Sequence, residues 1–250
     1  MPSATQSPSP VVTLASRREV AVRTLEFEIT RPGGFQFKAG QTVDLTWINP
    51  PETDSEGDTR TFSIASAPDD PQLLFATRLR DTAFKRILES APLGAALRME
   101  GPFGNLTLHN NASRPAILIA GGIGITPFRS MVRRAAHEKL PHKILLFYAN
   151  KSTESAAFLD EFEAIRKDNP NFTFIPTMGN PSPSWHGETG RISAEMLIRH
   201  LNRTASPNVH AASPIYYVAG PPAMVTGIRS VLNNSGIDDD DVRSEEFSGY

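Results

Sequence analysis

Apolar and polar positions follow two different rhythms along this chain. From residue 11 to 108 they alternate in short runs. VVTLASRREVAV, TLEFEIT, TVDLTWI, RTFSIAS, LLFATRLR, ALRME and NLTL each read as a strand. Turn signals separate them, among them Pro32-Gly33-Gly34, Ala39-Gly40 and Asp69-Asp70-Pro71. Short strands punctuated in this way predict an antiparallel barrel or sandwich. One segment breaks the rhythm: DTAFKRILES places Phe84, Ile87 and Leu88 at helical spacing. After HNNASRP the grammar changes. AILIA, KILLFYA, NFTFIPT and IYYVAG read as buried strands, and residues 127–138, 154–167, 194–202 and 222–232 have helical spacing. Strand and helix in alternation predict a parallel sheet covered on both faces. The chain therefore divides into a Pro/Ser-rich lead-in (1–10), a β half (11–110) and an α/β half (111–250).

Composition narrows the chemistry. With 250 residues the chain can bury an ordinary core. It has no cysteine, which excludes a thiolate-held iron–sulfur cluster, a Cys-ligated zinc and a thiol nucleophile. A formal net charge of −2 and the lack of any Lys/Arg run argue against a nucleic-acid partner. No apolar run approaches the ~20 residues of a membrane span. The start, MPSATQSPSP, lacks the basic and apolar regions of a leader, so a soluble, cytoplasmic monomer is the expectation. The six histidines show no metal-ligand spacing, and DDDDV (238–242) reads as a solvated loop. No metal site is expected.

The stretch AILIAGGIGITPF carries the first candidate chemistry. Gly121, Gly122 and Gly124 follow directly on a buried strand, and Gly122, Gly124 and Pro127 form G-x-G-x-x-P. Glycines let a backbone approach a phosphate closely, and a helix start offers free N–H groups with partial positive charge. Thr126 is expected as the N-cap and Pro127 as the first helical residue. A turn made tight for steric reasons would read the same way. The carboxylate that an NAD site places after the second strand is missing; Asn150, Lys151 and Ser152 stand there instead. This favours NADPH over NADH, with Lys151 meeting a 2′-phosphate or standing as a solvated loop residue.

Four further stretches give the reading its context: RTFSIAS (60–66), GPFG (101–104), YYVAGPPAMV (216–225) and the terminal EEFSGY. Their order and spacing, with the glycine turn, resemble the ferredoxin–NADP reductase family of flavoenzymes over residues 11–250. The resemblance implies a Greek-key antiparallel β-barrel that binds flavin, followed by an α/β nucleotide-binding domain. The R-x-[YF]-S motif of the family matches Arg60, Phe62 and Ser63, with Thr61 between them. It implies that Arg60 pairs with the flavin pyrophosphate, that Phe62 packs on the isoalloxazine, and that Ser63 lies near the flavin N5. A guanidinium fork suits phosphate oxygens in any case. A second flavin segment is implied at Ala76 and Thr77 and at the helix start Thr82, Ala83, Phe84 and Lys85, which favours FAD over FMN. Lys85 either neutralises phosphate or is solvated surface. Gly220 and Pro221 mark the second nucleotide turn. Ala219 stands where relatives carry a cysteine beside the nicotinamide. Phe247, with Glu245 as the nearby acid, is implied to cover the flavin, and Tyr250 is the alternative.

The implied activity is hydride transfer from NADPH or NADH to FAD. Electrons then pass to a separate acceptor: ferredoxin, flavodoxin, an oxygenase component or a small molecule. Without cysteine no [2Fe–2S] module is expected in these residues. The rival reading is a flavin-bearing electron-transfer or regulatory subunit with no free-standing activity.

Overall fold

A computed structural model describes residues 9–204 and 213–247. The β half forms one antiparallel six-stranded sheet from β1 (Val11–Ala21), β2 (Thr24–Ile29), β3 (Thr42–Trp47), β4 (Thr59–Ser63), β5 (Leu73–Arg78) and β6 (Ala96–Phe103). The spatial order is β4-β3-β6-β1-β2-β5. Strand β6 thus returns to lie between β1 and β3, a Greek-key connection. The sheet curls until its two edges meet beyond β4, where the Ala65 N–H donates to the Leu74 carbonyl at 2.7 Å. Helix α1 (Ala83–Ser90) plugs the barrel with Phe84, Ile87 and Leu88, the residues of its apolar stripe.

The α/β half is a parallel sheet of β7 (Ala116–Gly121), β8 (Ile144–Asn150), β9 (Phe172–Met178), the two-residue β10 (Glu188–Thr189), β11 (Ile215–Gly220) and β12 (Val242–Glu246). Its order is β10-β9-β8-β7-β11-β12. Helices α2 (Ile125–His137) and α3 (Leu159–Asp168) pack with the core on one face. On the other face lie α4 (Ala194–Thr204) and α5 (Pro222–Asn234). The strands carry near-continuous apolar runs because both faces are covered. No helix among the described residues is long and apolar enough to cross a membrane.

Three local expectations are corrected. Residues 105–108 (NLTL) form no strand: Leu106 leaves the barrel and packs into the α/β core with the partly buried Leu108, so its alternation reflects a linker pinned by two leucines. Helix α2 begins before Thr126, after a 3-10 turn at Gly122–Gly124, and Thr126 is not its N-cap. The Thr126 hydroxyl donates to the Ile123 carbonyl at 3.1 Å. Helix α3 starts at Leu159, because Phe158 adopts φ +63° and interrupts the turn that begins at Thr153–Ser155.

Candidate functional site

Strand order reverses between β7 and β11, the switch point where open α/β sheets bind ligands. A cleft of about 880 Å³ opens there. Gly121, Gly122, Asn150, Lys151 and Pro221 line its α/β side, and Arg78 and Arg80 line its barrel side. The glycines act differently. Gly122 has φ +51°, a conformation that side chains disfavour. A Cβ on Gly124 would lie 2.3 Å from the Ala219 carbonyl oxygen, so this glycine lets α2 pack directly on β11. The start of α2, with the free N–H groups of a first helical turn, follows directly on this turn. Thr126 is buried in the first turn of α2. Ala219 and Gly220 end β11. No carboxylate among the described residues pairs with Lys151 or with Arg191, a second exposed cation on this cleft.

On the barrel side, Ser63 ends β4. Its hydroxyl donates to the Glu245 carboxylate at 3.3 Å, joining positions 182 residues apart. Register explains the meeting: β12 places Glu245 beside Ala219. Burial raises the Glu245 carboxyl above the ordinary glutamate value, and the Ser63 hydroxyl partly offsets that rise. The Phe247 N–H donates to the Gly220 carbonyl at 3.0 Å, and its half-buried ring packs on the α/β core. Tyr250 lies outside the described residues.

Strand alternation settles where the RTFS side chains go. The Phe62 ring turns into the barrel core, 5.3 Å from Phe27 and 5.6 Å from Phe84, centroid to centroid. It lies on the face of β4 opposite Thr61, which bonds Asp44, and on the same face as Arg60. Ala76 and Thr77 are buried in β5, paired with β2.

Arg60 instead joins a charged cradle that spacing did not reveal. Its guanidinium donates to the Glu56 and Gly57 carbonyls at 2.9 Å and to the Glu56 carboxylate at 3.1 Å. Arg80 grips the same carboxylate at 2.8 Å. Asp54 lies 3.9 Å from Arg60 and accepts the Ala83 N–H at the start of α1, which holds its carboxyl below the ordinary value. Lys85 is no solvated surface residue: it is 7% exposed, and its ammonium donates to the Arg78 carbonyl at 2.6 Å. Burial first, then Arg80 and Arg60, push it down to about 8. Three cations thus face two carboxylates. Arg60 Nε, Arg80 Nε and the Thr82 hydroxyl are buried without a partner. Such a donor set suits a doubly charged pyrophosphate, so the residues present fit a flavin dinucleotide. The only sequence hint of Arg80 was the R-L-R that closes the fifth strand-like run; Asp54 and Glu56 left none.

Comparison with known proteins agrees with this geometry. A family model described as an oxidoreductase NAD-binding domain matches residues 118–230. Ferredoxin–NADP reductase B of Sorangium cellulosum (strain So ce56) is 30% identical over 213 residues, covering 84% of each chain. The chain belongs to the ferredoxin–NADP reductase family. Within the family it is also similar to the phenol hydroxylase P5 protein of Acinetobacter pittii (strain PHEA-2), at 28% identity over 232 residues. That match covers 90% of this chain and 61% of the relative. A solved ferredoxin NADP⁺ reductase from Neisseria gonorrhoeae with bound FAD and NADP shares the fold, with a TM-score of 0.79 at 19% identity. The superposition covers 96% of this family member and 99% of that chain.

Proposed function

We propose that this chain is an NAD(P)H-dependent flavoprotein reductase, with FAD held by residues 11–110 and the nicotinamide nucleotide by residues 111–250. The observation that carries the reading is the meeting of Ser63 and Glu245 across the two halves, beside Ala219. FAD, when bound, accepts a hydride from the nicotinamide and releases electrons singly or in pairs. The protein positions the reactants and supplies the electrostatics. Arg60, Arg80, Lys85 and the start of α1 neutralise the flavin pyrophosphate. Gly122 and Gly124 bring the start of α2 against the nucleotide pyrophosphate. Ala219 leaves room for the nicotinamide to approach. Ser63, its O–H donated to Glu245, presents its hydroxyl oxygen as an acceptor at the flavin edge. Phe247 covers the exposed ring face. Electrons leave to a separate acceptor, a ferredoxin, flavodoxin, oxygenase component or small molecule. The test is the purified protein itself. It is expected to be yellow, to release FAD on denaturation, and to reduce an artificial one-electron dye with NADPH or NADH. A preparation that takes up no flavin on reconstitution contradicts the reading.

A further inference from the structure

Helix α2 does more than follow the glycine turn. Arg129, Ser130, Arg133 and His137 fall on one face of it, and that face reaches the barrel turn that follows β4. The Ser130 hydroxyl donates to the Ser66 carbonyl at 2.6 Å. Arg129 Nη1 donates to the Ala65 carbonyl at 2.8 Å, while its Nε donates to Glu161 of α3 at 2.7 Å. The same guanidinium lies 4.7 Å from the Phe158 ring centroid. Arg133 bridges Asp70 at 3.0 Å and Glu161 at 2.8 Å, and His137 Nδ1 lies 2.9 Å from Asp69.

Burial separates these contacts. Arg133 and His137 reach carboxylates at the rim, where screening leaves ion pairs little weight. Arg129 is 6% exposed, Ser130 is 0% and Ser66 is 1%. Their two bonds go to backbone carbonyls, and removing either donor would strand an acceptor away from water. The chain arithmetic is short on both sides. Ala65 stands two residues after Ser63, and Ser130 stands six after Gly124, about 9 Å of helix. The route from the glycine turn to Ser63 through these bonds is therefore short, rigid and buried.

We propose that Arg129 and Ser130 are positioning residues that fix the glycine turn at a set distance from Ser63, and so set the rate of hydride transfer from nicotinamide to flavin. The proposal rests on the reductase reading above. Hydride transfer is steep in distance, and a misplacement of about 1 Å costs on the order of 100-fold. Neither residue need touch a cofactor for this to hold.

The test is anaerobic stopped-flow reduction of the FAD-loaded protein at saturating NADPH, repeated with NADPH deuterated at the transferred position. Arg129→Met is expected to slow the isotope-sensitive phase about 10- to 100-fold, with the Kd for FAD and for NADPH within about threefold of wild type. Arg129→Lys, which keeps a cation able to reach the Ala65 carbonyl, is expected to recover part of the rate. Ser130→Ala, which removes one neutral bond, is expected to slow the phase about threefold and keeps the proposal open to test if Arg129→Met fails to fold. Arg134→Met removes an exposed cation from the same helix, one that pairs with Glu138, and is expected to leave the rate unchanged. A wild-type rate in both Arg129→Met and Ser130→Ala overturns the proposal. So does a slowing that only follows weaker NADPH binding. A wild-type protein that neither NADPH nor NADH reduces overturns the reductase reading itself, and is told apart because every variant is then equally silent.

Discussion

Two candidate anion sites, one in each half of the chain, are made of different materials. On the α/β side the backbone makes the site: a strand, a turn with Gly122 at φ +51°, and a helix start. On the barrel side charged side chains make it, and they arrive with their own counter-charges, Asp54 and Glu56. Peptide N–H groups at a helix start carry partial charge and tolerate water as a partner. Clustered guanidinium and ammonium groups repel one another, and burying them without anions is costly. The first site therefore gains a ligand by addition. On the proposed reading the second gains one by exchange, with a pyrophosphate replacing two carboxylates of matching charge.

The comparison breaks most visibly at Gly124. A Cβ there meets the backbone of β11, which cannot yield. Gly124→Val is expected to cost about 3–5 kcal/mol in denaturant unfolding, or to prevent folding of the α/β half. Gly121→Ala is the contrast: its Cβ would meet the Met224 sulfur, the far end of a flexible side chain, and the expected cost is under about 1.5 kcal/mol. Equal costs would show that the turn is not limited by backbone packing.

On the barrel side the expected losses lie in binding. Arg60→Met is expected to weaken FAD about 100-fold by fluorescence titration, the scale of a charge-assisted bond lost from a buried pair. Glu56→Gln is expected to act in the opposite direction and tighten FAD severalfold, because it weakens the resident competitor on Arg60 and Arg80. Weaker FAD binding in Glu56→Gln would mean that the carboxylate orients the arginines and is not displaced.

Lys85 gives the cradle a pH signature. Its folded-state value of about 8 lies below its ordinary 10.5. Between these values the unfolded chain binds more protons, so stability rises with pH across that window, and the full penalty applies below pH 8. Lys85→Met is expected to remove this rise and to stabilise the flavin-free protein at pH 7 by on the order of 1–3 kcal/mol, while weakening FAD. A stability curve that still climbs between pH 8 and 10.5 in the variant would place the titration elsewhere. The smallest expected effect is at Lys151. An exposed lysine–phosphate contact is worth about 1 kcal/mol, so Lys151→Ala is expected to lower kcat/KM for NADPH about fivefold and leave NADH unchanged. A preference for NADH in wild type, untouched by the variant, would show that Lys151 does not read the 2′-phosphate.

The same contrast explains what could be read from the chain beforehand. The glycine turn was legible because conformation and close packing leave glycine few substitutes, and because its strand and helix are contiguous with it. Both halves were legible from their rhythm. The cradle was not: Glu56 and Arg80 stand 24 residues apart, and nothing in their spacing announces an ion pair. Residues 105–108 imitate a strand because Leu106 and Leu108, two apart in a polar linker and both packed on the α/β core, produce the same local alternation. The start of α2 was set too late because Thr126 and Pro127 make a plausible cap wherever they fall near a helix start, and the preceding 3-10 turn is invisible to a 3.6-residue period.

The central claim is that a hydride crosses where Ser63 and Glu245 meet. It is tested most directly by mixing the FAD-loaded protein with one equivalent of NADPH, and separately of NADH, without oxygen, and following the flavin absorbance in wild type and in Ser63→Ala. The account expects full bleaching of the wild type by at least one of the two nucleotides, and at least tenfold slower bleaching in Ser63→Ala with FAD still bound, a loss of about 1.4 kcal/mol or more in the transition state. Wild-type flavin that stays oxidised with both nucleotides, or a Ser63→Ala protein that bleaches at the wild-type rate, would contradict it.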